Sequence, residues 1–140
     1  MKILILDDYQ DVVRHLDCFA RLGGHEARVL TATAAGLGQL AVRLRDAEAL
    51  VLTRERTRIN EALLARLPKL RIISQTGKVG PHIDVEACSR RGVAVAEGTG
   101  YSAATSSNTL WKRPSVIFMM LSLVKAVTFL RPCTRAYSKA

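Results

Sequence analysis

The sequence predicts an α/β fold, a doubly wound parallel sheet of five strands with helices on its faces. Three observations support this: short runs that are apolar at every position, segments with apolar residues at helical spacing between those runs, and glycine or proline where the segments end. Strands that are apolar throughout suit a sheet buried on both faces, because alternating helices cover each face. With 140 residues, 49% of them hydrophobic, the chain is long enough to bury one such core.

Strands and helices alternate along the first hundred residues in the order βαβαβαβαβ. The first strand ends at two acidic residues, and the helix after it stops at two consecutive glycines. The third helix stops before Pro68, and the fourth stops at Gly92. The predicted strands cover residues 2–6, 27–30 and 49–52, a stretch that begins at 71–73, and 93–96, and the predicted helices cover residues 9–22, 37–44, 60–67 and 84–91.

Charge divides the chain into two segments, residues 1–100 and residues 101–140. The net charge is +9 at pH 7, yet all 12 acidic residues lie within the first 98 positions, and the last 42 residues hold six basic ones. We therefore expect an ordinary domain over residues 1–100 and an atypical basic, apolar, helical tail after it. The tail's apolar run, residues 115–124, is too short to span a bilayer. Contact with a membrane surface or single-stranded nucleic acid stays a weaker alternative, and no specific nucleic-acid partner is expected.

The cysteines indicate a reducing compartment. Cys18, Cys88 and Cys133 form no CxxC pair and no cysteine and histidine spacing typical of a zinc site. The first apolar run holds only four residues before two acidic ones, which is too short for a signal peptide. The sequence therefore predicts a cytoplasmic protein with free thiols and no metal site.

The loop after the third predicted strand is the first candidate site, since parallel α/β sheets bind ligands beyond the carboxyl ends of their strands. Residues 53–58 carry three arginines, and each guanidinium can bind two oxygens of a carboxylate or phosphate. The alternative is a solvated charged turn in which Glu55 and Glu61 neutralise the arginines.

The loop after the fourth predicted strand is the second candidate. Residues 74–80 contain two glycines, and their backbone N–H groups could form a concave anion site with Lys78 as a nearby charge. A plain glycine turn is the alternative. The two loops follow adjacent strands, so together they predict an anion site better than either does alone.

A glycine motif precedes both loops. Residues 36–41 read Gly-Leu-Gly-Gln-Leu-Ala and fit the fingerprint of dinucleotide binding, with Glu55 at the range of a ribose-binding acid. The fingerprint requires its first glycine directly after a strand, whereas residues 31–35 intervene here. We therefore expect the match to be coincidental.

Histidines and paired acids complete the list of candidates. His15, His25 and His82 are potential general bases, but no serine or cysteine nucleophile is suggested beside them. Asp7 and Asp8 could bind a metal, although capping of the first helix is the commoner role of such a pair.

Several ordered motifs carry a family pattern: MKILILDDYQDVVRHLDCF at the start, then TRERT, SQTGKVGPHIDVEAC and AEGTG. Over residues 1 to about 100 the sequence resembles the D-isomer-specific 2-hydroxyacid dehydrogenases, in their phosphoglycerate dehydrogenase-like branch. The resemblance implies a flavodoxin-like substrate, or lid, domain that closes on a separate NAD-binding domain. It also implies that Arg54 faces the active-site cleft and that the backbone of Thr76, Gly77, Lys78 and Val79 receives the substrate carboxylate.

The sequence departs from that pattern after Gly100. No Gly-x-Gly-x-x-Gly motif follows, and the family's catalytic Arg, Glu and His have no counterpart. The resemblance implies an NAD-dependent oxidoreductase family, with residues 97–100 as the crossing point between domains. We expect this chain to be a truncated or frameshifted form that is inactive alone and binds no NAD alone. Its expected partners are a small 2-hydroxy or 2-oxo acid, and a second copy or an intact paralogue.

The alternative is a small anion-binding or receiver-like signalling module, because a five-stranded domain that opens with Asp7 and Asp8 also resembles a response-regulator receiver. A receiver needs a phosphorylatable aspartate at the end of the third strand, where this chain has Thr53. It also needs a lysine after the fifth strand, where this chain has Glu97.

Overall fold

A computed structural model describes residues 1–97, which form one five-stranded, all-parallel sheet. The strands are β1 (Lys2–Leu6), β2 (Glu26–Val29), β3 (Ala49–Leu52), β4 (Ile72–Gln75) and β5 (Ala94–Glu97). Their order across the sheet is β2-β1-β3-β4-β5, so the direction of winding reverses between β1 and β3. The predicted α/β fold class is confirmed, and each strand lies within one or two residues of its predicted position.

Three α-helices connect the later strands: α1 (Leu37–Leu44), α2 (Glu61–Leu64) and α3 (Val85–Arg90). Each of the last two begins after a capping residue, because the side chains of Asn60 and Asp84 accept hydrogen bonds from first-turn amides. Both are shorter than predicted. After α2 the chain tightens, and the amides of Arg66 and Leu67 bond to carbonyls three residues back, which ends the helix before Pro68.

The connection between β1 and β2 differs most from its prediction. The helix predicted over residues 9–22 is instead two 3₁₀-helices, Val13–His15 and Asp17–Leu22, separated by an extended residue, Leu16. Asp11 has φ +50°, which is incompatible with a right-handed helix at that position. The Asp8 carboxylate accepts a hydrogen bond from the amide of Val13 (2.8 Å) and fixes where the first turn starts.

The core has two layers, one on each face of the sheet. Alternate strand residues point to opposite faces: Leu4 and Leu50 pack with the three α-helices, whereas Ile3 and Val51 pack with Val13 and the 3₁₀-helices. This explains why the strands are apolar at every position. Within residues 1–97, no helix is long and apolar enough to cross a membrane.

Candidate functional site

The carboxyl ends of four strands form one straight edge. In the parallel register Leu6 pairs with Leu52, Leu52 with Gln75, and Gln75 with Glu97. The loops that follow β1, β3 and β4 therefore start side by side, as the sequence predicts for an anion site at this edge.

The two predicted loops are joined through the backbone of Arg54. Its N–H donates to Oγ1 of Thr76 (3.1 Å), and its carbonyl accepts from Nε2 of the buried Gln75 (2.9 Å). The amide of Thr76 donates in turn to the carbonyl of Leu52 (3.0 Å). Arg54 has φ +59°, a conformation that costs a non-glycine residue about 1–2 kcal/mol. These bonds hold the strained backbone in place and leave the Arg54 side chain exposed to solvent.

The loop after β4 already holds a carboxylate. The N–H of Val79 donates to Oε2 of Glu97 (3.0 Å), a side chain at the end of the neighbouring strand. Thr76, Gly77 and Val79 are partly exposed, and Lys78 is exposed. One of the four backbone positions predicted to receive a substrate carboxylate is thus paired with a carboxylate of the chain itself.

A second set of contacts anchors the loop after β3 to the end of β1. Nη1 of Arg56 donates to the carbonyl of Asp7 (2.7 Å), and its guanidinium lies 4.5 Å from the ring centre of Tyr9. The hydroxyl of Thr57 donates to the carboxylate of Asp7, which is buried and has φ +60°. Arg56 therefore secures the loop, while Arg54 projects from it.

A cavity of about 240 Å³ lies where the winding of the sheet reverses, between the ends of β1, β2 and β3. We call it the arginine cleft, because its lining includes Arg43, Arg56 and Arg58. Sequence reasoning singled out the last two but missed Arg43, which lies on α1 and carries no motif. The alternative in which Glu61 neutralises the arginines of this loop is not observed, because Glu61 pairs with Arg90 (3.2 Å) instead.

The glycine motif at residues 36–41 does not fit a dinucleotide. Gly36 caps α1 after a loop of several residues, whereas the fingerprint requires a tight turn directly from a strand. Glu55, the candidate ribose-binding acid, lies beside Gly80. A Cβ atom added to Gly80 would be 3.3 Å from Oε1 of Glu55. Residues 1–97 therefore offer no turn of the required kind for the cofactor's pyrophosphate.

The three candidate histidines differ in burial. His15 is exposed, His25 is partly buried, and both ring nitrogens of the buried His82 lack a partner within residues 1–97. No group of three metal-ligating side chains occurs in this part of the chain. Burial, together with the nearby Asp84 carboxylate, raises the pKa of the Cys88 thiol, so Cys88 is a poor nucleophile.

The positions that would make a receiver are occupied by other residue types. Thr53 follows β3, and Glu97 ends β5. Of the predicted crossing point between domains, residues 97–100, only Glu97 is described. The predicted tail, residues 101–140, lies outside the described residues.

Comparison with known proteins agrees with this architecture. The chain is similar to a solved oxidoreductase from Ralstonia solanacearum assigned as a D-3-phosphoglycerate dehydrogenase, with 60% identity and a TM-score of 0.69 over 71% of this chain and 30% of that one. It is similarly related to a phosphoglycerate oxidoreductase from Vibrio cholerae, with 56% identity and a TM-score of 0.69 over 72% of this chain and 32% of that one. The chain thus spans about a third of these relatives.

A curated relative and a family model give the same result. Over 50 residues the chain is 42% identical to (S)-sulfolactate dehydrogenase from Chromohalobacter salexigens, which covers 36% of this chain and 16% of that protein. Residues 3–110 match the family described as D-isomer specific 2-hydroxyacid dehydrogenase, catalytic domain. The resemblance drawn from the motifs is confirmed, and the chain belongs to the D-isomer specific 2-hydroxyacid dehydrogenase family.

Proposed function

We propose that residues 1–100 form the substrate, or lid, domain of this dehydrogenase family and bind the carboxylate of a small 2-hydroxy or 2-oxo acid. The binding groups are the side chain of Arg54 and the backbone of residues 76–79, which together we call the carboxylate site. The observation that carries this proposal is the hydrogen bond from the Val79 amide to the Glu97 carboxylate, at 3.0 Å.

The role of Arg54 follows from its backbone. Hydrogen bonds to Thr76 and Gln75 fix its main chain beside the loop after β4, whereas its side chain remains exposed. A guanidinium in that position can bind both oxygens of a carboxylate through two parallel hydrogen bonds.

The glycine loop supplies the second half of the site. Adding a Cβ atom to Gly77 would meet nothing within 4 Å, so a ligand can approach this backbone closely. Neutral N–H groups and the Lys78 ammonium would complement a carboxylate without a metal ion. Glu97 occupies the Val79 amide until the ligand carboxylate displaces it.

NAD is the cofactor that the family's reaction requires, and it would accept the hydride from the carbon that bears the hydroxyl. Because the described residues do not fit a dinucleotide, we propose that residues 1–97 bind no NAD by themselves. Turnover then needs a nucleotide-binding domain, which an intact paralogue in the cytoplasm could supply. The isolated 140-residue chain should oxidise no 2-hydroxy acid.

Titration of the 140-residue chain with glycolate and pyruvate, followed by amide NMR shifts, tests the carboxylate site. We expect saturable binding in the millimolar range, with the largest shifts at residues 76–79 and an affinity about tenfold lower in Arg54→Ala. Arg66→Ala is the matched control, since Arg66 is exposed, follows α2 and lies away from the carboxyl edge. Equal binding by both variants would refute the site.

An activity assay tests the second part of the proposal. The purified chain is mixed with NAD and a panel of 2-hydroxy acids, and NADH is followed by absorbance. We expect no NADH above the background without protein. NADH formation that scales with the chain and disappears in Arg54→Ala would show that the chain is an enzyme on its own.

A further inference from the structure

We infer that the arginine cleft is a second anion site, separate from the carboxylate site, and that it binds a phosphate group or another tetrahedral dianion. The cleft lies on the β1 side of the loop after β3, whereas the carboxylate site lies on its β4 side. Neither Arg54 nor any of residues 76–79 lines it.

The positive charge of the cleft is largely unneutralised. Nη1 of Arg43 donates to the carbonyl of Ala32 (3.1 Å), and Arg56 donates to the carbonyl of Asp7, so both bond to neutral oxygens. Arg58 has no hydrogen-bond or ion-pair partner within residues 1–97. Among residues 1–97, the lining contains three guanidiniums and one carboxylate, which leaves an excess of two positive charges.

That single carboxylate does not compete for the arginine side chains. Asp7 is buried, and its two oxygens accept hydrogen bonds from the hydroxyls of Thr57 and Tyr9. Glu61 is the first acidic residue after Arg58 in the sequence, and it pairs with Arg90 at 3.2 Å. The cationic groups of the cleft therefore remain available to an incoming anion.

The start of α1 adds a second, independent attraction. Gly36 and Leu37 line the cleft, no side chain caps this helix, and its first turn contains no acidic residue. The helix has eight residues, and because its start lines the cavity, its first-turn amides and the positive end of its dipole lie next to it. Uncapped amides beside three arginines form the kind of environment in which phosphates bind to helix N-termini.

The size and the positive charge of the cleft favour a compact dianion over a monoanion. A cavity of about 240 Å³ is roomy enough for a phosphate and a few attached atoms. Leu6, Leu30 and Leu40 form its apolar wall, whereas the three arginine side chains are exposed to solvent. A dianion is attracted to the same positive charges about twice as strongly as a carboxylate is.

The test is a titration of the 140-residue chain with inorganic phosphate and with glycerol 3-phosphate, measured by calorimetry at low ionic strength. We expect saturable binding at or below about 10 mM, weakened about tenfold in Arg58→Gln and in Arg43→Gln. Both side chains are exposed, so the fold should survive, which a thermal melt of each variant verifies. Arg66→Gln carries the same charge change away from the cleft and should bind as the unsubstituted chain does.

Arg54→Gln separates the two sites. It should weaken glycolate binding and leave phosphate binding unchanged, while Arg58→Gln should do the reverse. The inference is overturned if phosphate does not saturate the chain, or if Arg58→Gln and Arg43→Gln bind it undiminished. It is also overturned if Arg54→Gln, and not Arg58→Gln, abolishes phosphate binding, because the phosphate then occupies the carboxylate site.

Discussion

The loop after β3 borders two regions that differ in the groups they offer an anion. On its β4 side, the carboxylate site consists mainly of backbone groups, held by the bonds from Arg54 to Thr76 and Gln75. On its β1 side, the arginine cleft consists of long side chains around a cavity. Backbone donors are positioned before the ligand arrives, whereas arginine side chains must give up rotamer freedom when they bind.

This difference indicates what each region can recognise. The backbone donors of the carboxylate site have fixed geometry, and one of them already pairs with the Glu97 carboxylate, so this site should select for shape. The arginine cleft has an excess of charge and little fixed geometry, so it should select for charge. Changes to the chain should therefore affect the two regions in different ways.

A substitution at Asp7 should have the largest effect, because this residue supports both regions. Its carbonyl holds Arg56, its carboxylate holds Thr57, and its φ of +60° is one that aspartate tolerates better than alanine. We expect Asp7→Ala to lower the free energy of unfolding by about 2–3 kcal/mol, through the lost hydrogen bonds and the strained backbone. Urea denaturation of the full chain measures this change.

Asp7→Asn is the matched control. Asparagine adopts a positive φ and keeps one oxygen acceptor for Thr57, so the loss should be only about 1 kcal/mol. In Asp7→Ala we also expect glycolate to bind more weakly, because the loop that carries Arg54 loses its anchor. If Asp7→Ala unfolds at the same urea concentration as the unsubstituted chain, Asp7 does not anchor the loop.

Substitutions at Arg54 should affect the free energy of unfolding and the affinity for glycolate in different ways. Its φ of +59° suits glycine, so Arg54→Gly should raise the free energy of unfolding by about 1 kcal/mol. The same change should weaken glycolate binding about tenfold, because the guanidinium is lost. Arg54→Ala removes the same side chain but keeps the strain, so it should weaken binding without stabilising the chain. A stability gain of equal size in both variants would contradict the assignment of strain to this backbone.

The strands could be predicted from the sequence, because burial on both faces leaves an unambiguous signal. Ala49–Leu52 is apolar at every position and forms β3 over that same range. Leu37–Leu44 has apolar residues at helical spacing and forms α1 as predicted. Residues 9–22 were predicted incorrectly, since their spacing fits a helix but the contact of Asp8 with Val13 and the positive φ of Asp11 depend on tertiary structure.

The site was predictable in part for a similar reason. The loops after β3 and β4 follow from the strand ends, and parallel register places them together. Arg43 and Glu97 carried no local signal, because each reaches its region from a different connection of the fold. A sequence pattern indicates which loops meet, but not which side chains from neighbouring elements reach them.

Glu97→Gln should have the smallest and most selective effect of these substitutions. Its carboxylate accepts the Val79 hydrogen bond at the proposed carboxylate site and does not line the arginine cleft. Glu97→Gln removes a competing negative charge while keeping an oxygen at the same place. Because an exposed charge interacts weakly through water, we expect glycolate affinity to rise only about threefold. NMR titration of the full chain measures this rise.

Glu26→Gln shows whether that rise is local. Glu26 is exposed on β2, at the opposite edge of the sheet, where it pairs with Lys2 and Arg28. Glu26→Gln changes the net charge by the same amount as Glu97→Gln, so a general electrostatic effect would raise glycolate affinity equally in both variants. A rise confined to Glu97→Gln, with phosphate affinity unchanged, would mean that Glu97 competes directly for the Val79 amide. Glu97 would then control access to the backbone groups of the carboxylate site without affecting the arginine cleft.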